Sequence, residues 1–215
     1  MNAPTLLASM QGGPFDWLLD QSSNGLLMSG DEFARLTHDD CDPAFRYELI
    51  NGVVIVSPPP DDAGQGPNER LGNWLWDYQQ RHPTGKVLDD TLMERPVSTR
   101  VGTRVVDRAL WIGFGRPIHS KSDLPTIIVE FVSAGRRAWQ RDYEQKRDEF
   151  VEMGCKEYWI FDRFHRTLTV HYALGAAPPQ RVITEQEIYT TPLLPGFELP
   201  LRKLLELADQ YAIEE

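Results

Sequence analysis

Thr126-Ile127-Ile128-Val129-Glu130-Phe131-Val132 is a continuous apolar run broken by a single charge. A run of this kind predicts a strand buried on both faces, not one that alternates wet and dry sides. An ionised carboxylate inside such a strand is costly unless it is paired or binds a cation. Glu130 therefore reads in one of two ways. It is a strand-end glutamate that reaches solvent or an arginine, or it is a metal ligand or general base. Its companions decide between them.

Two further residues break their local pattern in the same way. In Val105-Val106-Asp107-Arg108-Ala109-Leu110-Trp111, Asp107 shares a strand face with Val105, Ala109 and Trp111, although aspartate is depleted from strand interiors. Arg108 points to the opposite face of a regular strand, so it is not the obvious partner. On the helix expected from residue 137, Tyr143, Lys146, Phe150 and Met153 form the stripe that faces a core, and a lysine interrupts it. That lysine either snorkels at the edge of the stripe or aims over the sheet toward Glu130. Asp142 lies one turn before it and is placed to pair with it. Glu48, in Arg46-Tyr47-Glu48-Leu49-Ile50, is either the wet face of a hairpin strand or a third carboxylate of the same set.

Working outward, residues 1–28 read as an N-terminal extension, with Phe15, Trp17, Leu18 and Leu19 able to form one short docking helix. Residues 29–215 read as one domain. Ser29-Gly30-Asp31-Glu32 is a capping box opening a helix through Leu36. The apolar runs 45–50 and 53–56 flank Asn51-Gly52, the pair that accepts a type I′ hairpin turn. Pro58-Pro59-Pro60 ends the second run, and residues 61–66 read as a flexible loop. An amphipathic helix is expected over 67–81, with Leu71, Trp74, Leu75 and Tyr78 on one side. Strands are expected at 87–92, 104–112, 126–132, 157–161 and 167–172. A helix over 137–153 ends at Gly154. Strands around a few helices give a mixed α/β sheet domain.

The 215-residue chain is 25% charged and 41% hydrophobic, as ordinary globular domains are. No apolar run of about 18 residues is present to span a membrane. The first residues lack the basic flank and apolar core of a secretory signal. Cys41 and Cys155 stand outside any motif and are expected as reduced thiols of a cytoplasmic protein. The net charge of −10 counts against a broad DNA-coating surface. It does not count against a metal site, which needs carboxylates. Arg136, Arg137, Arg141, Lys146 and Arg147 are the candidate phosphate contacts, or simply a solvated helix face. Trp74, Trp76, Trp139 and Trp159 fit packing better than base stacking. The five histidines show no zinc spacing. No phosphate loop, serine elbow or CxxC occurs.

Two or three carboxylates and a lysine are the parts that phosphodiester hydrolysis needs. Carboxylates hold hard Mg²⁺ ions through oxygen. The metal lowers the pKa of a bound water and stabilises transition-state charge, and the lysine adds a positive charge for the attacking water or the developing oxyanion.

At these residues the chain resembles the Uma2 family, also called DUF820, over roughly 28–205. Tyr47-Glu48-Leu49-Ile50-Asn51-Gly52 resembles its opening hairpin, with Ser57-Pro58-Pro59 after it. Val106-Asp107-Arg108-Ala109-Leu110 stands where the family has Pro-Asp-Val-Ala. Residues 125–133 resemble its Pro-Asp-Leu-Val-Val-Glu-Val-Leu-Ser, and Asp142 through Lys146, Gly154 and Glu157 through Asp162 match its helix and next strand. Leu194-Pro195-Gly196-Phe197 resembles its closing segment. The resemblance implies a restriction-endonuclease-like PD-(D/E)XK core with flanking helices and an N-terminal hairpin. Val132 occupies the usual lysine position on the strand, and Lys146 supplies the amine from the helix. It implies Asp107, Glu130, Lys146 and Glu48 as catalytic residues, Mg²⁺ (or Mn²⁺) on Asp107, Glu130 and Glu48, DNA as substrate, and a homodimer. Val106 and Thr126 depart from the family's proline and aspartate, and Ala134-Gly135-Arg136 departs from its Pro-Ser turn. Gly66-Pro67-Asn68-Glu69 stands where the family often has a histidine. The expected activity is metal-dependent cleavage of DNA. The alternatives are a catalytically silent binding or regulatory module on the same fold, and a structural dimer whose buried charges form ion pairs.

Overall fold

The computed structural model describes residues 18–135 and 140–212. The chain divides into two units, Met1–Pro59 with Val101–Arg104, and Pro60–Arg100 with Val105–Glu215.

In the first unit Ser29 caps helix α1 (Gly30–Arg35). Its hydroxyl accepts the Glu32 N–H at 3.2 Å, and Glu32 Oε2 accepts the Ser29 N–H at 2.9 Å, the reciprocal box read from sequence. Strands β1 (Arg46–Ile50) and β2 (Val53–Ser57) pair antiparallel around Asn51 and Gly52. These two turn residues have φ of 51° and 77°, as a type I′ turn requires. Strand β4 (Gly102–Ile112) begins here, Thr103 opposite Leu49 and Gly102 opposite Ile50. Leu19, Leu49 and Val54 form a small core with Leu26 and Met28 against it. Leu18 and Leu19 are not helical. Both donate to the Asp40 carbonyl, and Leu19 bridges to Cys41. Phe15 and Trp17 lie outside the described residues.

The second unit holds α2 (Asp62–Arg81), β3 (Leu88–Thr99), the rest of β4, β5 (Ile127–Phe131), α3 (Arg147–Glu152), β6 (Glu157–Asp162), β7 (Thr167–Tyr172), β8 (Gln180–Thr184), β9 (Ile188–Tyr189), β10 (Leu199–Pro200) and α4 (Leu201–Ala212). Its sheet runs β3-β4-β5-β6-β7-β8. The β4–β5, β6–β7 and β7–β8 pairs are antiparallel, and β5–β6 is parallel. A parallel pair needs a crossover, and α3 lies on it. Ile127 and Val129 pack with Leu71 and Leu75 of α2 and Leu201 and Leu204 of α4. Ile128 packs the other way, with Trp111, Ile160 and Phe150 of α3. Strand β5 is therefore covered on both faces, which is why its sequence does not alternate.

Two expectations need correction. Residues 61–66 are not a loop. Helix α2 starts at Asp62 and is capped by Asp61, whose Oδ1 accepts the Gly64 N–H at 2.9 Å. The glycines there serve packing, since a Cβ on Gly66 would meet the Tyr211 ring of α4 at 2.2 Å. Nor is 137–153 one regular helix. Arg137 and Trp139 lie outside the described residues, and Arg141–Lys146 is a π-helical turn leading into α3. Strand β3 also runs well past the expected 87–92, and β8, β9, β10 and α4 carried no expectation.

Candidate active site

The β4–β5 ladder pairs Leu110 with Ile127, Ala109 with Ile128 and Arg108 with Val129. Continuing that register would set Phe131 opposite Val106. Instead the Phe131 N–H donates to Asp107 Oδ2 at 2.7 Å. The aspartate side chain has taken over a ladder bond, and this fixes its carboxylate at the end of β5, beside Glu130.

Glu130 shares a face with Ile128, the face that carries α3. The π-helical turn ahead of α3 widens the helix by one residue per turn, a distortion common at functional sites. From it the Lys146 amine donates to Glu130 Oε1 at 2.7 Å and to the Val105 carbonyl at 3.3 Å. Only 4% of the lysine side chain and 3% of the glutamate side chain are exposed. Asp142, also buried, lies 3.8 Å from the same amine, and Arg141 clasps it through Nε at 2.9 Å and Nη2 at 3.3 Å. The Tyr158 hydroxyl donates to the Asp142 carbonyl at 3.1 Å.

Burial holds the Glu130 carboxyl well above the usual carboxylate range. Lys146 opposes that shift, while the Asp107 and Asp142 charges reinforce it. The Tyr158 phenol is raised too, by burial first and then by Glu130, Asp142 and Asp107. Asp107 and Asp142 therefore act on Glu130 against Lys146, while Arg141 is paired with Asp142. Among the described residues the hydrogen bonds to Glu130 end at Oε1, so Oε2 takes none. Mg²⁺ is commonly bound through one or two carboxylates, with water completing its shell.

Asp107, Glu130 and Lys146, far apart in sequence, thus meet in the second unit. Glu48 lies in the first, where its Oε2 faces Arg104 Nη1 at 3.9 Å with both side chains buried. It is not the wet face of its hairpin. Among the described residues no group of three or more His, Cys, Asp or Glu side chains could hold a metal ion. Of the basic cluster, Arg136 and Arg137 lie outside the described residues, and Arg141 and Arg147 each pair with the adjacent aspartate. Asn68 of α2, whose side chain donates to the Asp107 carbonyl at 2.9 Å, was not singled out from sequence. A signal existed, because positions 68, 71, 75 and 78 share one helix face and Asn68 is the polar residue on it.

A mixed sheet with an aspartate and a glutamate on adjacent strands, and a lysine reaching the glutamate from the next helix, defines a restriction-endonuclease-like protein. A crystal structure described as a "putative nuclease belonging to DUF820" from Anabaena variabilis ATCC 29413 is similar, with a TM-score of 0.67 and 14% identity over 84% of this chain and 99% of that one. At that identity the likeness is one of fold. The family profile of Uma2, described as "Putative restriction endonuclease", matches residues 31–202, and the chain belongs to this family. No curated protein matches it. Among the described residues no helix is long and apolar enough to cross a membrane.

Proposed function

We propose that this chain is a divalent-metal-dependent endonuclease that hydrolyses phosphodiester bonds in DNA. One observation carries the reading: the Lys146 amine lies 2.7 Å from Glu130 Oε1 in a buried setting that also contains the Asp107 and Asp142 carboxylates. Asp107 and Glu130 would hold Mg²⁺ or Mn²⁺, with water completing the shell, as is usual for Mg²⁺. When bound, the ion would supply an activated water and charge stabilisation for the pentacoordinate phosphorus of the transition state. Lys146 sets its amine at the Glu130 carboxylate, where a positive charge would stabilise the attacking water or the developing charge on a phosphoryl oxygen. Asp107, held by the Phe131 N–H, keeps its carboxylate from swinging away. The family's description as a restriction endonuclease favours DNA over other phosphodiesters.

The test is plasmid cleavage in Mg²⁺ and in Mn²⁺ by the wild type, Glu130→Ala and Lys146→Ala. The wild type is expected to nick or linearise the plasmid and both variants to lose that activity. Cleavage that persists in both variants removes the assignment. Absence of cleavage and of Mn²⁺ binding by the wild type leaves a silent module on the same fold.

A further inference from the structure

Behind the candidate site, on the face that packs against α2, sits a polar cluster with no role in the chemistry above. Asn68 is 2% exposed and Arg108 is 5% exposed. Arg108 Nε donates to Asn68 Oδ1 at 2.8 Å, Nη2 to the Asn68 carbonyl at 2.9 Å and Nη1 to Thr91 Oγ1 at 3.1 Å. All three acceptors are neutral; the Glu69 charge acts on the guanidinium without a hydrogen bond to it, and burial still lowers its pKa to about 10. The second half of the asparagine amide, Nδ2, donates to the Asp107 carbonyl at 2.9 Å.

We propose that Asn68 is a positioning residue that fixes the Asp107 peptide from the sheet face opposite its carboxylate. One amide grips two neighbouring points of β4, the carbonyl of Asp107 and the side chain of Arg108. The peptide joining those residues is therefore held in plane and orientation. The Cα–Cβ direction of Asp107 follows from it, and with it the aim of the carboxylate toward the Phe131 N–H.

Cost supports the assignment. A buried cation whose hydrogen-bond acceptors are all neutral is expensive, and an apolar pair would fill the same space more cheaply. What the polar set adds is orientation. The helix is also shaped to admit it, since a Cβ on Gly72 would stand 2.5 Å from Arg108 Nη2. The proposal relies on the nuclease reading only for the use made of Asp107, and the grip itself is independent of that reading.

The test separates the two. Asn68→Asp keeps an acceptor and adds a counter-charge for Arg108, but it removes the N–H donor to the Asp107 carbonyl. Exchange of the Phe131 amide is followed by NMR in metal-free protein. It should quicken about tenfold, the effect of losing one buried hydrogen bond, while the Trp159 and Ile160 amides of β6 keep their rates. Asn68→Ser, which brings no charge beside the carbonyl, is read in the same way should the aspartate variant not fold. Thr91→Val, which touches only Arg108, should leave Phe131 protected. An unchanged Phe131 rate in the Asn68 variants overturns the proposal, as does equal quickening of all core amides, which would mark a general stabilising role. In plasmid cleavage Asn68→Asp should lower kcat with little change in KM for DNA. A wild type that does not cleave would sink the nuclease reading while the exchange rates still decide the role of Asn68.

Discussion

Glu130 and Glu157 stand on the neighbouring strands β5 and β6, and both are 3% exposed. Their surroundings differ. Glu157 Oε2 accepts from Trp159 Nε1 at 2.7 Å and from the Tyr189 hydroxyl at 3.0 Å, and Oε1 accepts from the Thr191 hydroxyl at 2.6 Å. Both oxygens are closed by neutral donors that come with the fold. Glu130 has one donor, an ammonium, and two carboxylates nearby that raise its pKa further. Burial alone does not mark a reactive carboxylate. The donor set separates the two: neutral donors close Glu157, whereas Glu130 faces one ammonium and two carboxylates, the setting the proposed nuclease would use.

The strongest way to break this contrast is Lys146→Met. It strips Glu130 of its donor and should abolish plasmid cleavage. Urea denaturation at neutral pH should show a loss of about 3 kcal/mol, typical of a broken buried pair. Glu157→Gln is the matched change next door. It turns an amide N–H₂ toward donors and should cost about 2 kcal/mol, with cleavage unchanged. A loss of cleavage at constant stability would join Glu157 to the site and end the distinction.

His171 of β7 sharpens the comparison from a third side. Its ring is buried, its Nε2 meets no partner among the described residues, and burial with Arg147 nearby holds its pKa down from 6.5 to about 4. The folded value lies below the unfolded one, so the unfolded chain binds the extra proton. Stability is then complete above pH 6.5 and declines as pH falls toward 4. Over that window the wild type should lose about 2 kcal/mol more than His171→Phe in urea denaturation. Equal losses would show that a buried group with no partner is not penalised here. The smallest effect belongs to Arg147→Ala at the surface pair with Asp148, about 0.5 kcal/mol or less in the same measurement.

Much of the candidate site was legible in sequence because its residues violate their local pattern at an energetic cost. A charge in the run 126–132, an aspartate in a strand and a lysine in an apolar helical stripe each demand a partner, and they prove to lie together. Asn51-Gly52 was equally direct, since the turn's positive φ is a local property of those two residues. Glu157 gave no signal, because Tyr189 and Thr191 lie 32 and 34 positions away and nothing local announces them. The partner of Glu48 gave no signal for the same reason, Arg104 arriving from another strand.

The start of α2 was hidden differently. Gly64, Gly66 and Pro67 argue against a helix by propensity, yet the Asp61 cap and the close approach of Tyr211 make one. Sequence by itself therefore determined which residues carry an unpaid cost, along with the hairpin and the apolar β5, since hydrophobic period and turn chemistry act over a few neighbouring residues. Tertiary structure alone decided which polar group answers each cost: Lys146 for Glu130, neutral donors for Glu157, Asn68 for the Asp107 carbonyl. Pairing inside a core is set by distances between segments remote along the chain, and those distances exist only once the sheet has formed.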